Sequence, residues 1–145
     1  MSAEGSALID TNVLLYAADK KAERHEPSRR LRDAGAAGEI ALSVTAQILL
    51  EYVSVITSPK RVATPSSVED AWTDVEQFAS VFSVLEPPGD LVARAIALGR
   101  ELGIRGPHVF DLAIAVTMLG AGVSTVYTYD SGVFARVEGI TAREP

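Results

Sequence analysis

The chain alternates short apolar runs with longer stretches of helical character, and this alternation constrains the fold more than any other property of the sequence. Residues 6–10 (SALID) form an apolar run ending in the polar cluster Asp10, Thr11 and Asn12 before apolar residues resume at Val13. That is the pattern of a buried strand leading into a helix. A helical composition over about 27–37 is stopped by Gly38, and residues 40–43 (IALS) read as a second strand. Residues 45–57 predict a strongly apolar helix closed by Pro59. Pro65, Ser66 and Ser67 lead into Glu69, a cap for a helix that carries Ala71, Trp72, Val75 and Phe78 on a buried face. A third strand is expected over 81–85, ended by Pro87 and Pro88, and Leu91, Ala95, Leu98 and Leu102 give helical spacing over about 90–102. A Gly-Ile-Arg-Gly-Pro turn precedes another apolar helix over 108–119, stopped by Gly120 and Gly122, and residues 124–128 read as a fourth strand.

Strands that alternate with helices predict a parallel sheet, because parallel strands need crossover connections and are buried on both faces. The expected architecture is a three-layer α/β/α sandwich around a central, mainly parallel sheet of four to five strands. At 145 residues with no repeat or linker, a single domain over 1–145 is expected. The sequence contains no cysteine, which excludes disulfides, thiolate metal sites and cysteine nucleophiles and fits a reducing, cytoplasmic setting. No apolar segment reaches the ~18 residues of a membrane span, and the N-terminus lacks the basic and apolar regions of a secretion signal. The net charge of -6 argues against broad electrostatic capture of nucleic acid, so a polyanionic partner needs help from cations.

Against this background four acids stand out. Asp10, Glu51, Asp111 and Asp130 are each the only formal charge in a largely apolar stretch, over residues 5–18, 40–59, 106–129 and 122–135 respectively. A carboxylate in such a setting must be paired, metal-bound or neutralised. Asp10 and Asp130 follow strands, and ligands of open parallel sheets bind at the carboxyl ends of strands. Glu51 shares one stripe of its helix with Gln47, Ser54 and Ser58, and Asp111 lies one turn after His108 and one turn before the small Ala115. Four converging carboxylates repel one another, and divalent cations with a preference for oxygen ligands, such as magnesium or manganese, remove that problem. Two such ions ~3.5–4 Å apart can hold the attacking and leaving oxygens of a displacement at phosphorus. The implied chemistry is metal-assisted phosphodiester hydrolysis.

Each acid also has a plain structural reading. Asp10 and Asp130 suit a helix cap or turn, Asp111 complements a helix dipole, and Glu51 reaches solvent with its stem buried. Asn12 and Thr128 likewise divide between site roles and ordinary cap or strand roles. His108 is read as structural. The basic residues Lys20, Lys21, Arg24, Arg29, Arg30, Arg32, Lys60 and Arg61 are read mainly as a solvated face, and Val13, Leu14, Leu15 and Tyr16 either as core or as a groove for a partner helix.

The strand end Asp10-Thr11-Asn12, the segment from Ser43 to Glu51, the F-D-L-A-I-A helix start around Asp111 and T-x-D at Thr128 to Asp130 together resemble a PIN-domain protein, and more narrowly the VapC-type ribonuclease toxins of prokaryotic toxin–antitoxin pairs. The likeness runs through nearly the whole chain in order and spacing. It implies a metal-dependent endoribonuclease with Asp10, Glu51, Asp111 and Asp130 as catalytic metal-site acids, supported by Asn12 and Thr128. It further implies magnesium or manganese as cofactor, RNA as substrate, a homodimer and a small VapB-like antitoxin as partners. The chain departs from the pattern after its last acid, where Gly132 and Phe134 stand in place of a second acid and its following Phe. The competing readings are an RNA-processing nuclease of the same type without an antitoxin, a phosphotransferase or phosphatase using Asp10 as nucleophile, and a non-catalytic metal-binding interaction module.

Overall fold

The computed structural model describes residues 6–145, and the first five residues of the domain and N-terminus read above lie outside the described residues. Five strands form one sheet: β1 (Ala7–Ile9), β2 (Leu42–Thr45), β3 (Ser83–Leu85), β4 (Thr125–Tyr127) and β5 (Thr141–Arg143). Their order is β3-β2-β1-β4-β5, and every neighbouring pair is parallel. Six helices flank it: α1 (Thr11–Ala18), α2 (His25–Ala36), α3 (Ala46–Ile56), α4 (Val68–Val81), α5 (Leu91–Leu102) and α6 (His108–Gly120). Helix α1 packs on α2 and α3, α3 packs on α4, and α5 pairs with α6, which gives the expected layered α/β architecture.

The core follows from the sheet's position. Leu8 and Ile9 on β1, Val44 on β2 and Val126 on β4 are fully buried, as a parallel sheet covered on both faces requires. Val13 and Leu14 are fully buried beside them, so these two belong to the core, while Leu15 and Tyr16 are partly buried. Short polar side chains start two of the helices: Thr45 accepts a hydrogen bond from the Ile48 amide at 3.2 Å, and Ser67 accepts one from the Asp70 amide at 3.1 Å. Ser67, rather than Glu69, is thus the cap of α4.

Three sequence expectations are corrected by the packing. Strand β2 lies two residues later than the IALS run, because Ala7 registers with Leu42 and Val44 with Val84, leaving Ile40 38% exposed before the strand begins. Val81 ends α4 instead of opening β3. Trp72 is 47% exposed: α4 buries the stripe of Ala71 and Phe78, which recurs at seven residues, and Trp72 falls one position off it. Phe78 is buried as expected, edge-on to Tyr52 with ring centroids 5.2 Å apart. The edge strand β5 has only three residues and no apolar run, so no hydrophobic signal announced it.

Candidate active site

The central position of β1 puts its carboxyl end in the middle of the sheet, between the ends of β2 and β4. Asp10 follows directly. It is the N-cap of α1, and its Oδ1 accepts from the Thr11 amide at 2.8 Å. The cap reading and the site reading therefore describe the same side chain, because its other oxygen is turned elsewhere. Asp10 Oδ2 accepts from the Thr128 hydroxyl at 2.9 Å and from Asn12 Nδ2 at 3.3 Å.

Thr128 stands one residue past β4, and its buried hydroxyl is a junction. It accepts from Asn12 Nδ2 at 3.1 Å and from the Asp130 amide at 3.0 Å while donating to Asp10. Asn12 Oδ1 in turn accepts from the Tyr129 amide at 3.1 Å, so Asn12 fastens the loop after β4 to the start of α1. Both supporting residues named from sequence are thus engaged with Asp10 and with each other. The Tyr129 side chain points away from this network: its hydroxyl lies 2.8 Å from Ser28 Oγ on α2, and its ring is edge-on to Tyr16 with centroids 5.3 Å apart.

Glu51 reaches the site from α3. Its Oε2 accepts from the Thr11 hydroxyl at 2.9 Å, a partnership that spans 40 residues of chain and that the sequence did not reveal. Gln47, one turn earlier on the same stripe, donates to the Phe110 carbonyl at 3.4 Å and so ties α3 to the first turn of α6. Ser58 falls beyond the end of α3 and does not share the stripe. Asp111 sits in that first turn of α6, half-buried, with His108 Nδ1 3.9 Å from its Oδ2. Asp130, two residues past Thr128, is exposed.

The electrostatics join what the hydrogen bonds leave separate. Asp111 is pushed up to about 6, chiefly by burial and then by the charges of Asp10, Asp130 and Glu51, with His108 acting weakly in the opposite direction. Burial also raises Asp10, against the opposing hydrogen bonds from Thr128 and Thr11, and Glu51 and Asp130 add to the rise. The charges of Glu51 and Asp130 thus reach both Asp10 and Asp111, and that of Asp10 reaches Asp111.

This donor set suits a hard divalent cation. Among the described residues no three His, Cys, Asp or Glu side chains already converge as a metal cage. Magnesium does not require one, since it commonly takes one or two carboxylates and completes its shell with water and substrate phosphate. The acids supply oxygen donors only, and their mutual repulsion is the cost that a cation relieves.

Comparison with known proteins places this geometry in context. Residues 7–140 match the sequence model of the PIN domain family. Ribonuclease VapC37 of Mycobacterium tuberculosis (strain H37Rv) is 31% identical over 146 residues, which cover 95% of this chain and 96% of that protein. Ribonuclease VapC48 of the same organism is 29% identical over 144 residues, covering 97% of each chain. Among solved structures, Mycobacterium tuberculosis VapC20, described as a sarcin-ricin loop cleaving toxin, superimposes with a TM-score of 0.71 at 17% identity over 97% of this chain and all of that one. VapBC2 of Rickettsia felis, bound to a promoter DNA fragment, gives 0.66 at 18% identity over 95% and 97% of the two chains.

Proposed function

Because the chain belongs to the PIN domain family, we propose that it is a metal-dependent endoribonuclease of the VapC type, the toxin of a toxin–antitoxin pair, with Asp10, Glu51, Asp111 and Asp130 as its metal-site acids. The observation that carries the reading is Asp10, an aspartate buried at the carboxyl end of the central strand, held by Thr128 and Asn12 and electrostatically coupled to Glu51 and Asp130. A buried acid in the company of other acids is costly unless an opposite charge compensates it, and a bound cation is such a charge.

Asp10 and Asp111 would hold magnesium or manganese, with Glu51 and Asp130 at the more exposed side. What the cation supplies there is charge neutralisation at the phosphate and activation of water at neutral pH. The chain's own contribution is positional. Thr128 and Asn12 fix the rotamer of Asp10, Thr11 orients Glu51, and Gln47 keeps α3 in register with the helix bearing Asp111. Such preorganisation keeps ligands from having to reorganise during the reaction. An aspartyl nucleophile at Asp10 is disfavoured, since that chemistry wants a second Asp two residues on and Asn12 stands there.

A homodimer acting in the cytoplasm, silenced by a small VapB-like antitoxin, completes the proposal. Its support is that solved structures including a toxin–antitoxin complex from Klebsiella pneumoniae share the fold. The deciding experiment is cleavage of total cellular RNA by the purified chain with magnesium or manganese. Asp10→Asn and Asp111→Asn should each lower cleavage by about 100-fold or more while leaving the circular dichroism spectrum intact. Variants that cleave as well as the parent would refute the assignment.

A further inference from the structure

An acidic pocket on a chain of net charge -6 repels the backbone of its proposed substrate, so cations must stand beside the acids to hold neighbouring phosphates. Three of the arginines that stand out along the sequence are already in ion pairs, and a fourth, Arg24, lies over the rings of Tyr16 and Tyr129. Arg29 pairs with Glu26 and Asp33, Arg30 with Glu26, and Arg32 with Asp33.

A different pair is free of such partners. A cleft of about 370 Å³ opens beside the first turn of α6, lined by Leu102, Gly103, Ile104, Arg105, His108 and Arg136. Among the described residues neither Arg105 nor Arg136 joins an ion pair. Arg136 is anchored by one hydrogen bond from its Nη2 to the Leu102 carbonyl, which leaves the rest of its guanidinium donors for a ligand. Arg105 occupies the tight turn between α5 and α6. Gly103 ends α5 with φ 63°, the Ile104 amide closes back on the Gly99 carbonyl at 3.0 Å, and Gly106 with φ 61° redirects the chain into α6. Both glycines adopt the left-handed conformation that side chains disfavour, so the turn presenting Arg105 is built into the backbone. His108, on the cleft wall, is one turn from Asp111 on the same helix. The cleft therefore adjoins the acidic pocket.

We infer that this cleft is a subsite for a second phosphate of single-stranded RNA, next to the phosphodiester that the acids address. The inference rests on the nuclease reading. Guanidinium groups match phosphate geometry through paired N–H donors, and interactions of this kind position a strand without reading its sequence.

The test is binding of a short fluorescein-labelled single-stranded RNA to the full chain, followed by anisotropy in EDTA between about 50 and 200 mM salt, alongside steady-state cleavage with magnesium. Arg105→Ala and the double variant with Arg136→Ala should weaken binding and lower the slope of log affinity against log salt by about 0.7 for each phosphate no longer neutralised. They should raise KM several-fold with kcat unchanged, and Arg105→Lys should restore much of the affinity. Because Arg136 also holds a backbone carbonyl, Arg105→Ala decides the matter if the double variant fails to fold. Parental slope and KM in Arg105→Ala, or no RNA binding by the parent chain, overturn the subsite. Arginine-dependent binding without cleavage instead overturns the nuclease reading and leaves the subsite standing; cleavage by a chain whose binding ignores both arginines does the reverse.

Discussion

The Thr128 hydroxyl donates to Asp10 Oδ2 at 2.9 Å across 118 residues of sequence, and both groups are buried. This bond joins the ends of β1 and β4, the two strands that meet at the centre of the sheet. It also leaves the acid with a preferred orientation in a setting that otherwise resists its charge.

Thr128→Val keeps the shape of the side chain and removes the junction between Asp10, Asn12 and the Asp130 amide. The expected outcome is a loss of about 1–3 kcal/mol of stability in urea denaturation, since buried partners are left unsatisfied. RNA cleavage should fall by about 10- to 100-fold, the usual effect of removing a group that orients a metal ligand. Thr128→Ser should recover most of both.

Thr11→Val releases Glu51 from its hydroxyl partner. Glu51 is exposed, so stability should fall by no more than about 1 kcal/mol. Cleavage should drop by about 10-fold, with a weaker apparent affinity for magnesium measured by titration of activity. Thr11→Ser should behave like the parent; equal loss in both variants would assign the effect to packing.

The acidic pocket makes metal-free stability depend on pH in an unusual direction. Asp111 stands at about 6 in the folded chain against an ordinary 3.8, and Asp10 is raised as well, so the folded state holds these protons more tightly than the unfolded chain does. The contribution of Asp111 is fully present below about pH 4 and is lost as pH rises through about 6, and that of Asp10 changes in the same direction. For Asp111 the loss is on the order of 2 kcal/mol after allowing for its partial exposure. Urea midpoints in EDTA should therefore fall more between pH 4 and 7 for the parent than for Asp111→Asn. At pH 7, magnesium at about 100 times its Kd should return about 2.7 kcal/mol, and at pH 4 almost none. A midpoint at pH 7 unmoved by either magnesium or manganese would remove the metal site.

Gly35 tests the packing that supports the site from below. A Cβ built there meets Leu42 Cγ at 2.9 Å and Phe82 Cε1 at 3.0 Å, where α2 lies against the start of β2. Alanine favours a helix by about 1 kcal/mol over glycine, yet the clash should reverse the sign. Gly35→Ala is expected to lower the urea midpoint by an amount equivalent to about 1–3 kcal/mol, with cleavage by the remaining folded protein unchanged.

Much of this molecule is written locally. Asp10 could be singled out because a lone charge between SALI and VLLY contradicts its surroundings, and the strand–helix alternation is visible wherever the strands are apolar. Thr45 and Ser67 cap helices because a short polar side chain beside the first turn satisfies amides that nothing else reaches. By contrast Trp72 looked like core because periodicity gives a helix its stripe without saying how wide a strip its neighbours cover. The strand at Thr141–Arg143 escaped notice because an edge strand takes its stability from pairing with β4 and needs no apolar run.

By itself, then, the sequence determined the layered α/β class and nominated the four acids, since hydrophobic periodicity and isolated charge are properties of neighbouring residues. Only the tertiary structure decided which partners they have. The Thr11 hydroxyl on Glu51, the junction at Thr128, and the cleft that sets Arg105 and Arg136 beside Asp111's helix all join segments tens of residues apart. Such pairings are fixed by strand order and helix packing, which bring distant side chains within hydrogen-bonding reach, and no local pattern of residues encodes them.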